Sequence, residues 1–167
     1  MICVVGIGVK NKMVQPLTNF DLLYMAQTLQ IKNFRGVFMK DVLPLVRNEV
    51  ECGIINLENF DQAGSHWTSY YVNHNFKYYF DSFGCRPPVE LVKYVGHKNL
   101  LYNTDCIQHY NDPPICGHLC LVFLFNISEG LEFDAATFNN VNTVIRGGAE
   151  PVSLNVCIRG VINDDVL

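Results

Sequence analysis

The chain has 167 residues, of which 49% are hydrophobic and 17% charged, and its formal net charge is −4. This size allows one domain with a substantial core, and the acidic balance gives no electrostatic footprint for nucleic acid or an anionic membrane. No window of about 18 apolar residues suggests a membrane span. Seven cysteines, an odd number without an export signal, indicate reduced thiols in an intracellular setting.

The first predicted element is an amphipathic helix near the N-terminus. Its cap is Thr18 or Asn19, and its apolar face recurs at helical spacing: Leu22, Met25, Ala26 and Leu29. Gly36 is predicted to break the chain before a short apolar stretch that ends by Pro44. Residues 52–57 form an apolar run, which predicts a buried strand.

A β-hairpin is predicted in the middle of the chain. Residues 66–72 and 77–80 are rich in aromatic and β-favouring side chains, and the turn-like residues 73–75 separate them. Two proline residues at 87–88 begin a short helix that Gly96 closes, and residues 100–102 are a further candidate strand.

The last predicted elements are helical. After a Pro-rich loop, an apolar helix runs from Cys116 to about Ser128 and is closed by Gly130, and residues 134–145 form a final helix. The predicted class is α+β: a small mixed or antiparallel sheet packed on a central helix, with flanking helices. Residues 1–16 are a leader or extra strand, 17–146 the domain, and 147–167 a linker and tail.

Cys116 is the candidate nucleophile. Its sulfur lies at the predicted N-terminus of a helix, where unpaired N–H groups and the helix dipole favour an anion. Such a position lowers a thiol pKa below the ~8.5 of a free cysteine. Gly117 would leave room for a substrate. The alternative is a buried structural cysteine, a role that fits Cys120 one turn further on.

His66 and Asp81 are the candidate base and orienting carboxylate. His66 begins one hairpin strand beside Trp67, whose indole could hold the imidazole by packing. Asp81 ends the other strand, so its carboxylate can bond the far imidazole nitrogen and fix the tautomer. The alternatives are an ordinary half-buried hairpin histidine and a turn aspartate that caps residues 82–84.

Gln108 is the candidate oxyanion donor. It lies eight residues before Cys116, and its amide could stabilise a developing oxyanion together with a backbone N–H near Cys116. A surface loop glutamine is the alternative. The remaining histidines are interpreted as surface or structural residues: His74, His97, His109 and His118.

A zinc site is a competing interpretation. Cys106, His109, Cys116 and Cys120 resemble half of a metal-binding pattern. Their spacing is not that of a standard zinc finger, and two prolines stiffen the connection. The candidate catalytic set needs no metal and no other cofactor.

The candidate residues resemble those of the adenovirus endopeptidase family, within the clan that includes the SUMO-specific Ulp-type proteases. The shared features are the order His, Asp, Gln, Cys and the motifs around them: His66-Trp67, Tyr79-Phe80-Asp81-Ser82-Phe83-Gly84, Gln108 and Cys116-Gly117. The resemblance covers roughly residues 17–130. Residues 33–38 and 116–120 are especially similar to proteases of Polinton (Maverick) elements and adintovirus-like viruses.

The resemblance implies a cysteine protease with His66 as base, Asp81 as its orienter, Gln108 as oxyanion donor and Cys116 as nucleophile. It implies capsid precursors as substrates, cut after small residues such as Gly-Gly. Trp67 is expected to form a wall of the passage that binds the substrate. The implied location is the host nucleus or cytoplasm, with packaging in virions. Adenoviral enzymes are basic and are stimulated by DNA and a viral peptide. The acidic charge of this chain argues against DNA activation, and no activating peptide is carried over.

Two alternatives to a capsid protease are open. An isopeptidase that removes a ubiquitin-like modifier would use the same chemistry, and a non-catalytic metal-binding module would use none of it.

Ile145-Arg146-Gly147-Gly148-Ala149 resembles the family's cleavage pattern, so the chain could cut itself or a sister chain between Gly148 and Ala149. A flexible linker is the alternative interpretation of that segment.

Overall fold

A five-stranded mixed sheet organises the chain, with strand order β1-β2-β3-β4-β5. The computed structural model describes residues 15–109, 111 and 113–137. The strands are β1 (Phe34–Met39), β2 (Glu51–Asn56), β3 (Trp67–Val72), β4 (Lys77–Phe80) and β5 (Leu100–Tyr102). The helices are α1 (Asn19–Thr28), α2 (Val89–Val95) and α3 (Cys116–Ser128). The inner pairs β2–β3 and β3–β4 are antiparallel, and β1–β2 and β4–β5 are parallel.

Helices cover both faces of the sheet. Successive side chains of a strand point to opposite faces, and Ile54 accordingly joins a core with α1 and α3 while Ile55 joins a core with α2. Phe80 and Tyr79 divide in the same way. This two-sided burial explains why β2 is an uninterrupted buried run rather than an alternating one.

The α+β class and most of the predicted elements are confirmed. Thr18 is the N-cap of α1 and forms a capping box with Asp21, the hairpin is β3–β4, and α3 begins at Cys116. The predicted break at Gly36 is wrong. Gly36 lies inside β1, where the β1–β2 register shifts, and its φ of +149° accommodates the resulting bulge.

Several predicted segments lie wholly or partly outside the described residues. Residues 133–137 are helical, which agrees with the start of the predicted final helix, whose remainder lies outside. The leader up to residue 14, the linker, the tail and the Gly148 cleavage position also lie outside, so the domain boundaries stay predictions. Within the described part of the chain, no helix has the length and hydropathy needed to cross a membrane.

Candidate active site

The β3–β4 hairpin and the start of α3 bring His66, Asp81 and Cys116 together. His66 immediately precedes β3 and Asp81 immediately follows β4, so the antiparallel pairing places both at one edge of the sheet. His66 Nε2 lies 2.7 Å from Asp81 Oδ1. The imidazole also interacts with the side chain of Cys116, and each of the two groups shifts the pKa of the other. All three residues are buried.

The electrostatics favour a thiolate–imidazolium pair. Burial lowers the pKa of His66, but the hydrogen bonds to Asp81 and Cys116 outweigh it and raise the pKa to about 9. Burial raises the pKa of the Cys116 thiol, but the hydrogen bond from His66 and the backbone N–H groups of Trp67 and Gly117 bring it below its usual value. Both shifts favour the state in which the proton resides on the imidazole and the charge on sulfur.

The N-terminus of α3 adds to this stabilisation of the thiolate. Cys116 is the first residue of the helix, and the N-cap residue Ile115 makes no side-chain capping bond. The first N–H groups of a helix lack intrahelical acceptors and carry the positive end of the dipole. A Cys116 thiolate can accept hydrogen bonds from these N–H groups, as a capping side chain does at the N-terminus of other helices.

Phe83, rather than Trp67, packs against the imidazole. The ring centroids of His66 and Phe83 are 4.5 Å apart with an interplanar angle of 31°. Trp67 instead donates its indole N–H to the Leu17 carbonyl at 2.9 Å and lines the cavity beside Cys116. The sequence predicts that the imidazole packs on the Trp67 indole. In the structure it packs instead on Phe83, which belongs to the turn after Asp81.

Gln108 is buried and its amide is held at both ends. Oε1 accepts a hydrogen bond from Ser82 Oγ at 3.1 Å, and Nε2 donates to the Pro113 carbonyl at 3.2 Å. A primary amide carries two N–H groups, and the contact with Pro113 uses one of them. The structure therefore places Gln108 in the loop that leads into α3, as a constrained amide and not as a surface side chain.

A cavity of about 670 Å³ opens beside the sulfur. Its walls come from the start of α1, the end of β1 and the loop of residues 57–65, together with Trp67, Pro114 and Cys116. Asn56 holds the loop, because its Oδ1 accepts from the backbone N–H of Glu58 at 3.0 Å and of Ser65 at 3.2 Å. The arrangement can receive an extended peptide next to the Cys116 sulfur.

Gly117 has close neighbours that the sequence did not indicate. It is buried, and a Cβ at this position would lie 3.1 Å from Leu22 Cδ2 and 3.4 Å from both Leu17 Cβ and Trp67 Cδ1. The absence of a side chain lets α1 and Trp67 approach the start of α3. Gly117 thus has a packing role, and its contact with substrate stays a prediction.

The residues of the alternative zinc pattern occupy dissimilar environments. Cys120 is fully buried, its thiol donates to the Trp67 carbonyl at 3.3 Å, and burial raises its pKa. Cys106 is exposed and donates to the Gln108 carbonyl at 3.2 Å. Among residues 15–109, 111 and 113–137, no group of three or more His, Cys, Asp or Glu side chains could hold a metal ion.

Four residues that surround the site were not predicted from the sequence: Asn56, Ser82, Phe83 and Asn103. Ser82 and Phe83 stand in the Asp-Ser-Phe-Gly turn, so the motif itself was the available signal. Asn103 pairs with Asp81 across 22 positions of sequence, and only the β4–β5 pairing brings them together.

Two solved protease structures are similar to this chain. The crystal structure of the ASFV pS273R protease matches with a TM-score of 0.50 at 14% identity, covering 78% of this chain and 64% of that protein. The chain thus spans less than two thirds of the length of that enzyme. The SUMO protease Ulp1, with its catalytic cysteine oxidised to a sulfinic acid, matches with a TM-score of 0.46 at 15% identity, covering 75% and 74%. No protein-family model and no curated protein sequence matches.

Proposed function

We propose that the chain is a cysteine endopeptidase whose nucleophile is Cys116. His66 is its base and general acid, Asp81 orients the imidazole, and Gln108 donates to the oxyanion. One observation carries the proposal: His66 is bonded to Asp81 at 2.7 Å and interacts with the side chain of Cys116, the first residue of α3. This is the nucleophile–base–orienter arrangement that covalent catalysis requires.

The proposed reaction proceeds through an acyl-enzyme. The Cys116 thiolate attacks the scissile carbonyl, and the resulting oxyanion accepts hydrogen bonds from the Gln108 amide and a backbone N–H near Cys116. His66 transfers its proton to the leaving amine as the C–N bond breaks and the thioester forms. It then removes a proton from water, which attacks the thioester, releases the carboxylic acid and regenerates the thiolate.

The proposed substrates are proteins cut after small residues, with Gly-Gly before the cut, in capsid precursors of a virus or a mobile element. The cavity beside Cys116 supports an extended peptide, and Trp67 forms one wall close to the sulfur. Glycine at the positions before the cut suits a narrow passage, since it brings no Cβ. The capsid substrate and the relation to Polinton-type proteases rest on the sequence resemblance described above.

Cleavage of a fluorogenic peptide that ends in Leu-x-Gly-Gly before the reporter tests the proposal. We expect turnover by the wild type and loss of turnover by Cys116→Ala, with the fold intact. Cys106→Ser is the matched control, because Cys106 is an exposed thiol whose hydrogen bond to the Gln108 carbonyl a hydroxyl can also make. Absence of turnover in the wild type, together with bound metal that a chelator removes, would instead favour the metal-binding alternative.

A second substrate separates the endopeptidase from an isopeptidase. A ubiquitin-like modifier fused through its C-terminal Gly-Gly to a reporter presents the same residues before the cut as the peptide does. Equal efficiency on the free peptide and the fusion would support a protease that reads the peptide alone. A preference for the fusion by orders of magnitude would favour removal of a modifier.

We also propose that the chain cleaves itself, or a sister chain, between Gly148 and Ala149. The support is the sequence Ile145-Arg146-Gly147-Gly148-Ala149, which has the same pattern as the proposed substrate. Intact-mass analysis of purified protein should show a product ending at Gly148 in the wild type and the full chain in Cys116→Ala. An uncut chain in a preparation that cleaves the peptide would contradict self-processing.

A further inference from the structure

Two buried side chains outside the proposed triad connect its acid to its oxyanion donor. We propose that Asn103 and Ser82 are positioning residues: Asn103 fixes Asp81, and Ser82 fixes the amide of Gln108. The inference rests on the proposed function of Cys116 and extends it to the residues that set the geometry of the site. Neither residue contacts the reacting sulfur, so both act through a partner.

Asn103 binds the backbone of Asp81 on both sides. Its Oδ1 accepts from the Asp81 N–H at 2.9 Å and its Nδ2 donates to the Asp81 carbonyl at 2.7 Å. Strands β4 and β5 end at Phe80 and Tyr102, so the Asn103 amide continues their pairing for one more residue. Nδ2 also donates to the Asp105 carbonyl at 3.2 Å, which fixes the amide itself.

Fixing the backbone of Asp81 fixes its carboxylate. Asp81 is fully buried, and Oδ1 accepts both from His66 and from the Phe83 N–H at 2.8 Å. The Asp81 carboxylate can hold the imidazole in one orientation only if the backbone of Asp81 is itself held in place. Without the Asn103 amide, the buried N–H and carbonyl groups of Asp81 would both lose their hydrogen-bond partners.

Ser82 and Pro113 hold the two ends of the Gln108 amide. The Pro113 carbonyl can only accept, so the amide end beside it is Nε2, and the Ser82 hydroxyl then donates to Oε1 at the other end. The Ser82 carbonyl accepts from the Gln108 N–H at 2.9 Å and the Ile107 N–H at 2.8 Å. Backbone and side chain of Ser82 therefore hold both the position and the orientation of the oxyanion donor.

The two residues have different kinetic signatures. Alkylation of Cys116 by iodoacetamide requires a thiolate but forms no oxyanion, whereas peptide cleavage requires both. Loss of the Ser82 hydroxyl should lower turnover and leave the pH profile of alkylation unchanged. Loss of the Asn103 amide should weaken the Asp81–His66 bond and shift the acid limb of the alkylation profile to higher pH.

The first experiment measures alkylation of Cys116 against pH, with the label located by peptide mass spectrometry because other cysteines are exposed. It compares Asn103→Ala with Asn73→Ala. Asn73 is a matched control, since its side chain also accepts from backbone N–H groups, those of Asn75 and Phe76, in a turn remote from the site. The inference expects a shifted profile for Asn103→Ala and the wild-type profile for Asn73→Ala; equal profiles would overturn the Asn103 role.

The second experiment is a double-mutant cycle in peptide turnover with Ser82→Ala and Gln108→Ala. Loss of an oxyanion donor lowers kcat by a factor on the order of 10²–10³. We expect Ser82→Ala, which only loosens that donor, to lower kcat by at least about 10-fold. In the Gln108→Ala background it should lose nothing more, because its partner is gone. Additive losses, or reduced alkylation in Ser82→Ala alone, would overturn the Ser82 role.

Two controls keep both experiments decisive. Ser69→Ala removes the hydroxyl of another fully buried serine that bonds neither Asp81 nor Gln108, and it should retain turnover. Ser82→Cys, which keeps the size of the side chain but only a weak donor, replaces Ser82→Ala in the cycle if that variant does not fold. A wild type that alkylates as a thiolate but cleaves no peptide would contradict the proposed function, while the Asn103 profile would still support or overturn the inference.

Discussion

At the scale of single residues, the pairing of Cys116 with His66 sets the pH range of reactivity. The thiolate forms above its lowered pKa, and the imidazolium persists until about pH 9. We expect a bell-shaped kcat/KM profile whose alkaline limb lies near pH 9, where His66 loses the proton that the leaving amine needs. In His66→Ala, burial of the thiol remains without its partner, so the acid limb of Cys116 alkylation should move upward, toward or beyond about 8.5. An unchanged alkylation profile would contradict the ion pair.

Asp81 and His66 should differ in how much activity their loss removes. His66→Ala removes the proton-transfer group, and general acid–base catalysis contributes ~10²–10⁴ in rate. Asp81→Asn keeps a hydrogen-bonding group of the same shape beside Nε2, so we expect a smaller loss of kcat with little change in KM. It should also move the alkaline limb below pH 9, because the carboxylate helps to raise the pKa of His66. Steady-state kinetics across pH would measure the loss of kcat and the position of the alkaline limb. A larger loss of kcat in Asp81→Asn than in His66→Ala would contradict a purely orienting role for Asp81.

At the scale of an element, the first turn of α1 couples helix stability to the cavity. Thr18 caps α1 and also lines the cavity beside Cys116. Thr18→Ala should cost about 0.5–2 kcal/mol of unfolding free energy and raise KM more than it lowers kcat. Urea unfolding and peptide kinetics measure the two effects. Thr28→Ala at the far end of α1, whose hydroxyl bonds the Tyr24 carbonyl, is the matched control and should leave KM unchanged.

The elements that the sequence predicted are those whose signals are local. Thr18 with Asp21 forms a cap within one turn, and the run after Cys116 predicts the start of α3 because a Pro-rich loop precedes it. Gly36 was misinterpreted because its effect depends on the β2 register opposite it. Asn103 could not be assigned a role, since its partner Asp81 lies 22 positions away and meets it only because β4 and β5 are parallel neighbours. The candidate triad was predictable as a set of residues, whereas its support was not.

At the scale of the whole molecule, the buried carboxylate of Glu51 links the sheet to α2, which packs on the face away from α3. Glu51 in β2 is fully buried, and its Oε1 accepts from the hydroxyl groups of Tyr70 at 2.8 Å and Tyr94 at 2.6 Å. Tyr94 belongs to α2, and burial together with Glu51 raises its pKa to about 12. Oε2 accepts from the Asn48 N–H at 2.7 Å and lies 3.8 Å from Arg35. The cluster therefore joins β1, β2, β3 and α2 at the side of the sheet away from α3.

Loss of this carboxylate should destabilise the fold without altering the chemistry of Cys116. Glu51→Ala leaves two tyrosine hydroxyls and a backbone N–H without their acceptor, and removal of one partner from a buried charged network costs about 3–5 kcal/mol. Urea unfolding should show this loss, and Glu51→Gln, which keeps one acceptor oxygen, should lose less. Glu49→Ala, at an exposed position in the same segment, should be close to neutral. Under conditions where the variant is folded, the pH profile of Cys116 alkylation should match the wild type, because the cluster and the site occupy opposite faces of the sheet. A shifted profile would mean that the two faces are coupled and that the geometry of His66 depends on the packing of α2.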